Sequence, residues 1–296
     1  MREARVAAQA KINLRLKILA RDLDGYHSIE TIFARIDLAD DVVVRVGRPD
    51  RSLDVKGADV GPTEKNLAYR AAMTYEAATG WPNGFSIELT KRIPAGAGLG
   101  GGSADAGAVL RALDAMSPRP LGPRLVTLAA ELGADVPFMT LEVPLALAWS
   151  RGERLLPLAT LAPRPVVVLT PDHTIATADS YAWVAESRKV SGAQLRVGFM
   201  PTAFVFESSI RDWPSMTAVA TNDFDGVVFH RFPALGQAAA ALREDGAMFS
   251  LLAGSGSSVV GVFEHKQAAE RALAQSAING LLTNTAASVV GVRVDG

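Results

Sequence analysis

Five of the seven residues from Gly96 to Gly102 are glycine, the residue that enters left-handed backbone conformations at no steric cost. Ahead of the run, Phe85, Ile87 and Leu89 alternate with Ser86, Glu88 and Thr90, a strand pattern that leads into Lys91-Arg92-Ile93-Pro94. Behind it, Ser103 is placed to cap an alanine-rich helix reaching about Met116. In such a strand–loop–helix arrangement consecutive backbone N–H groups converge on an anion, and the helix start adds positive dipole. A phosphate cradle is the physical expectation, with a glycine-rich surface turn as the plain alternative.

Several kinds of cradle are excluded by what surrounds the glycines. Gly96, Gly98 and Gly101 satisfy the spacing of a dinucleotide fingerprint, but Ser117 to Gly122 holds no carboxylate for a ribose. No Gly-Lys-Ser/Thr follows, so a Walker loop is out. Neither Ser103 nor Ser255 sits in a nucleophile elbow, and protein-kinase signatures are missing. The chain has no cysteine, which removes disulfides, thiol nucleophiles and cysteine-based metal centres. Lys plus Arg number 30 against 31 for Asp plus Glu, a balance that argues against a general nucleic-acid binder. The N-terminus lacks the apolar core of a signal peptide. The longest apolar stretch, Val136 to Trp149, is broken by Glu142 and two prolines. A soluble, cytoplasmic protein is expected, with no membrane partner.

Along the chain, Ile12, Leu14, Leu16 and Ile18 alternate with Lys11, Asn13, Arg15 and Lys17, the mark of a half-buried strand. Asp24-Gly25 signals a turn. Separate strands are expected over Thr31–Leu38, Asp41–Val46 and Ser52–Val55. Asn66 to Thr79 reads as a helix stopped by Gly80, and Arg124 to Leu132 as another; Gly133 to Pro137 reads as a loop. After a proline-bearing connector near Leu155 to Arg164, the run Val166-Val167-Val168 opens a second unit. It continues with helices near Thr177–Glu186, Phe232–Glu244 and Gln267–Gln275, and strands near Ala247–Leu252, Val259–Phe263 and Ser288–Val294. Two α+β domains, residues 1–155 and 156–296, are the economical division.

The loop Pro94-Ala95-Gly96-Ala97-Gly98-Leu99-Gly100-Gly101-Gly102-Ser103-Ala104 resembles the ATP-binding motif of the GHMP kinases. Within that superfamily, Ala10-Lys11-Ile12-Asn13-Leu14, Asp24-Gly25-Tyr26-His27, Gly133-Ala134-Asp135-Val136-Pro137, Arg151-Gly152-Glu153, Asn222-Asp223 and Gly254-Ser255-Gly256-Ser257-Ser258 resemble the branch that phosphorylates a cytidine-diphosphate-linked methylerythritol. Ala104 stands where a second serine is common, and Ala253 where a serine often precedes the C-terminal Gly-Ser-Gly. The resemblance implies a two-domain fold: an N-terminal domain like the second domain of ribosomal protein S5 and a ferredoxin-like C-terminal domain. It implies ATP as co-substrate, Mg²⁺ on the nucleotide, and transfer to the acceptor's 2-hydroxyl in the non-mevalonate isoprenoid pathway.

The same resemblance distributes the roles. Asp135 is the expected base, and Lys11 the lysine that keeps it ionised and offsets charge on the transferred group. Asn13 shares a strand face with Lys11 and is expected at the substrate. Tyr26, His27 and Tyr181 are expected to grip the cytosine. Asn66, Leu67 and Lys91 are expected near adenine and ribose; Asn66 alternatively just caps the helix it precedes. Asp105, in the first turn after the glycines, is expected to point away from a triphosphate that would repel it. The residues alone reach a two-domain phosphate-binding enzyme. Another GHMP small-molecule kinase, with a mevalonate- or homoserine-type acceptor, and a catalytically silent nucleotide-binding relative remain as alternatives.

Overall fold

The computed structural model describes residues 2–21, 27–190 and 210–295. Its frame is a pair of long antiparallel strands, β1 (Arg2–Arg21) and β2 (His27–Val46), paired from Arg2 opposite Val46 to Arg21 opposite His27 with register shifts between Gln9 and Lys11, Asn13 and Arg15, and Ile18 and Arg21. The separate strands expected over Thr31–Leu38 and Asp41–Val46 are thus one strand. Asp40 permits this, because its fully buried carboxylate accepts the N–H groups of Arg92 and Ile93 instead of turning the chain. β3 (Arg51–Lys56) and β4 (Phe85–Thr90) extend the sheet on one side, and β5 (Leu145–Ser150) with β6 (Arg154–Pro157) continue it along the other half of β2.

The face of this sheet is covered by α1 (Leu67–Thr79), α2 (Gly101–Met116), α3 (Arg124–Ala129) and α4 (Val136–Thr140). α1 follows its sequence signals. The Asn66 side chain accepts the N–H of Ala68 at 2.9 Å, and Gly80 closes the helix at φ 68°. α2 does not: it begins at Gly101, its N-cap is Gly100 at φ 72°, and Ser103 lies inside the first turn without capping it. A glycine in the left-handed region turns the chain into the helix and leaves the first N–H groups bare, which a serine cap would have consumed. The loop expected over Gly133–Pro137 tightens into α4, with Pro137 in the first turn, where its missing N–H costs nothing.

A second sheet has the order β11-β7-β10-β9, built from β7 (Pro165–Leu169), β9 (Ala247–Leu252), β10 (Val259–Phe263) and β11 (Gly280–Asn284), all antiparallel. Val166 and Val168 pack into the core shared with the first sheet, whereas Val167 and Leu169 pack under α5 (Thr177–Val190), α7 (Asp225–Arg231), α8 (Pro233–Glu244) and α9 (Lys266–Gln275). Burial on both faces explains the unbroken valine run. α6 (Trp213–Val219) leads into β8 (Thr221–Asn222), which pairs in parallel with β1, and the chain ends in β12 (Arg293–Asp295) on the same strand. β12 is shorter than the Ser288–Val294 strand expected, and β11 was not foreseen. Among the described residues no helix is long and apolar enough to cross a membrane.

α2 and α4 touch at Gly107, where a Cβ would stand 2.6 Å from the carbonyl carbon and oxygen of Met139. Helix propensity alone would make Gly107→Ala stabilising by about 1 kcal/mol. The contact reverses that sign: the variant is expected to lose about 2 kcal/mol through overpacking, read as a fall in urea midpoint. A midpoint at or above that of the wild type would contradict the packing described.

Candidate active site

Both sheets contribute to one cleft of about 1540 Å³. β1 supplies Lys11 and Asn13, the start of β2 supplies His27, and the glycine loop supplies Gly98, Gly100 and Ser103. Asp135 enters from the head of α4, Tyr181 from α5, and Gly254 with Ser255 from the turn between β9 and β10. The polar side of β1 is therefore not the solvated face of a half-buried strand. Lys11 is 4 % and Asn13 2 % exposed.

A buried ammonium is tolerable only when its donors are met. The Lys11 Nζ donates to Asn13 Oδ1 at 2.9 Å and to the Gly98 carbonyl at 3.1 Å, and lies 3.4 Å from Asp135 Oδ2. Asn13 is fixed in turn by donating to Thr31 Oγ1 at 2.7 Å, and that hydroxyl donates to the Arg15 carbonyl. The Lys11 main-chain N–H reaches the Leu99 carbonyl at 3.0 Å, so the strand holds the glycine loop twice. Asp135 keeps a side-chain exposure of 30 %, leaving its carboxylate open to the cleft.

Glycine is required here by contact as well as by conformation. A Cβ on Gly98, at φ 77°, would stand 1.9 Å from the Ala253 carbonyl oxygen. One on Gly254 would stand 3.4 Å from Lys11 Nζ. The two glycine segments thus interlock above Lys11. Ala97 and Leu99 point into the core and root the first loop. Asn222 roots the second, donating to the carbonyls of Leu252 at 3.0 Å and Gly254 at 2.7 Å.

On the opposite wall the His27 and Tyr181 rings stack at 5.3 Å with 13° between planes, and Phe224 meets Tyr181 edge-on. Burial, reinforced by the charge of Asp135, pushes the Tyr181 hydroxyl up to about 12, so it stays protonated beside the carboxylate. Tyr26, the third aromatic expected here, lies outside the described residues.

Comparison with known proteins agrees with this architecture. Residues 66–142 match the GHMP kinases N terminal domain and residues 209–279 the GHMP kinases C terminal domain. The chain is 40% identical to 4-diphosphocytidyl-2-C-methyl-D-erythritol kinase of Solidesulfovibrio magneticus over 92% of each chain. It is 38% identical to the kinase of that name from Solibacter usitatus, over 92% of this chain and 85% of the relative. This chain belongs to that family of GHMP kinases. A crystal structure of 4-(cytidine 5'-diphospho)-2C-methyl-D-erythritol kinase superposes with a TM-score of 0.74 at 36% identity, covering 95% of this chain and 99% of the other. Homoserine kinase from Cytophaga hutchinsonii, 18% identical with a TM-score of 0.71 over 99% of this chain and 97% of that one, shares the fold.

In this GHMP kinase the remaining expected residues fall around the glycine loop rather than in the open cleft. Leu67 lies 3.6 Å, and Lys91 Nζ 3.4 Å, from where Cβ atoms of Gly102 and Gly101 would stand. Asn66 is occupied as the cap of α1. Lys91 bridges two buried carboxylates, Asp40 and, at 2.6 Å, Asp105. Asp105 accordingly turns away from the cleft. Sequence reasoning missed Thr31 and Phe33, whose roles come only from the β1–β2 register; Lys11 Nζ sits 5.4 Å from the Phe33 ring centre.

One lysine between two buried acids leaves a negative charge in excess. Burial, opposed by Lys91 and reinforced by Asp40, pushes Asp105 up to about 7. Between the ordinary carboxylate value and about 7 the folded chain holds a proton that the unfolded chain has released. This contribution is complete in acid and is lost as pH rises through 7. Asp105→Asn is therefore expected to gain on the wild type in melting temperature as pH rises from about 5 to about 8. A constant difference between the two melting curves across that range would remove the carboxyl from this role.

Proposed function

We propose that this kinase transfers the γ-phosphoryl group of ATP to the 2-hydroxyl of 4-diphosphocytidyl-2-C-methyl-D-erythritol, with Asp135 as base. The observation that carries the reading is the contact of Lys11 with Asp135 at 3.4 Å, where the two glycine segments meet, in the same cleft as the stacked His27–Tyr181 pair. A phosphate cradle, a base and an aromatic clamp in one cavity fit a donor and an acceptor that carries a nucleobase.

The bare N–H groups at the start of α2 and the positive-φ glycines before it suit the triphosphate. The acceptor hydroxyl gives its proton to Asp135 as its oxygen bonds to the γ-phosphorus. The bond to the β–γ bridging oxygen breaks, and ADP leaves with that electron pair. Lys11 lies beside both the loop and the base, so its charge holds Asp135 ionised beforehand and offsets charge gathering on the phosphoryl oxygens. Its ties to Asn13 and Gly98 mean that little reorganisation is needed at that moment. The His27 and Tyr181 rings would hold the cytosine, and stacking without basic residues suits the chain's near-neutral charge.

Among the described residues no group of three or more His, Asp or Glu side chains could hold a metal ion unaided. Such a site suits Mg²⁺ bound mainly by phosphate oxygens. Ser103, which lines the cleft at the start of α2, is the side chain we assign to it; the ion would supply charge neutralisation on the phosphates.

Release of ADP from Mg-ATP with 4-diphosphocytidyl-2-C-methyl-D-erythritol tests the reading directly. Mevalonate and homoserine serve as competing acceptors, and turnover with one of them alone would displace the assignment. Asp135→Asn is expected to lower kcat by about 100-fold or more while ATP binding changes little, as for loss of a general base; near-normal turnover would take Asp135 out of the mechanism. Tyr181→Ala should act chiefly on the KM of the cytidylated acceptor, since stacking serves ground and transition states alike. An effect confined to the KM of ATP would assign that wall to the nucleotide instead.

A further inference from the structure

Arg35 is a large cation in an unusual place. It is 1 % exposed, it does not line the cleft, and it stands directly opposite Lys11 in the β1–β2 register. Its guanidinium spends its donors on the chain just beyond the head of α4. Nη2 donates to the carbonyls of Phe138 at 2.9 Å, Met139 at 2.9 Å and Leu141 at 2.8 Å, and Nε to that of Val143 at 3.2 Å. The main-chain N–H of Arg35 adds a bond to the Pro144 carbonyl at 2.8 Å.

α4 has five residues, too few to be stable alone. Its last carbonyls lack partners within the helix, and a cation at that end is favoured by the peptide dipoles. Arg35 meets both needs. At the other end, Asp135 occupies the N-cap position and reaches Lys11. Adjacent positions of one strand pair therefore hold the two ends of the helix. Between them runs a stack: Lys11 over the Phe33 ring at 5.4 Å, Phe33 on Phe138 at 5.0 Å, and the Arg35 guanidinium over Phe138 at 5.1 Å.

We propose that Arg35 is a positioning residue for phosphoryl transfer: by fixing the C-terminal end of α4 to β2, it sets the distance between Asp135 and Lys11. The inference rests on the role given above to Asp135. A buried guanidinium is costly even when most of its donors are met, and here Nη1 finds only Met139 Sδ at 3.9 Å; a short loop could have closed α4 with less. What the cation adds is rigidity of the helix against the strand that carries Lys11. A displacement of about 1 Å at a reacting group can cost about 100-fold in rate.

Arg35→Lys is the informative variant, since one ammonium keeps the charge but cannot span the carbonyls from Phe138 to Val143; Arg35→Met is a harsher companion. Arg35→Lys is expected to lower kcat about 10- to 100-fold, with both KM values within about threefold of wild type. Its crystal structure should show α4 shifted and Lys11 parted from Asp135 beyond ion-pair distance. A lower melting temperature with unchanged kcat, or an α4 still in place with the Lys11–Asp135 contact intact, would reduce Arg35 to a structural residue and overturn the proposal. Wild-type enzyme without turnover on the cytidylated acceptor would retire the acceptor assignment instead, and the variant's crystal structure would still decide on Arg35.

Discussion

Everything in the cleft is organised around one buried ammonium. Lys11 has almost no water to turn to, so each of its three polar neighbours is a structural requirement as well as a feature of the site. Asn13 comes from its own strand, Gly98 from the first glycine loop and Asp135 from α4. Three elements distant in sequence are thereby drawn to one point. Leaving any of them out would expose a low-dielectric charge to an unmet donor, an expense of several kcal/mol in ordinary circumstances. The Lys11–Asp135 pair is thus not added to a finished fold; its electrostatics help to close the fold.

The glycines follow from the same crowding. With Lys11 beneath and the β9–β10 turn above, the backbone at Gly98 passes the Ala253 carbonyl with no space for a side chain. The left-handed φ at Gly96, Gly98 and Gly100 lets the chain reverse repeatedly in a few residues. What results is a glycine segment that ends at the uncapped start of α2, the arrangement that generally suits an anion. Its rigidity comes from beside and below: Ala97 and Leu99 are sunk in the core, and Lys91 is clamped between Asp40 and Asp105 next to Gly101.

Much of this could be read from residues in order. The alternation at Ile12–Ile18, the cap and stop at Asn66 and Gly80, and the glycine run each follow from local rules that the fold leaves in force. The misreadings share a cause: a tertiary partner took over a local role. The pattern parts Thr31–Leu38 from Asp41–Val46, yet Asp40 between them pairs with main-chain N–H groups from a segment far along the chain. Ser103 looks like a cap, yet Gly100 does the turning. Pro137 marks Gly133–Pro137 as a loop but sits where a helix begins. Lys11 and Asn13 look like a wet face because their cover, α4 and the β9–β10 turn, arrives much later in sequence. The family resemblance named Lys11, Asn13, His27, Asp135 and Tyr181, which line the cleft, whereas the register that sets Arg35 opposite Lys11 is visible only once β1 and β2 are paired.

That register also explains why one sheet can hold two cations side by side without mutual ruin. Lys11 and Arg35 occupy opposed positions, yet their heads diverge, one toward a carboxylate and the other toward a fan of carbonyls. Phe33 and Phe138 fill the interval with stacked rings whose faces are electron-rich. The compensation at Arg35 is partial: burial, with the charge of Arg111 adding to it, pulls its guanidinium down to about 9. The helix between them has a carboxylate at its positive end and a guanidinium at its negative end, both in the sense that its dipole favours. Through one short helix and two rings, the two charges are joined in a single arrangement that sets Asp135 against Lys11 beside the glycine loop.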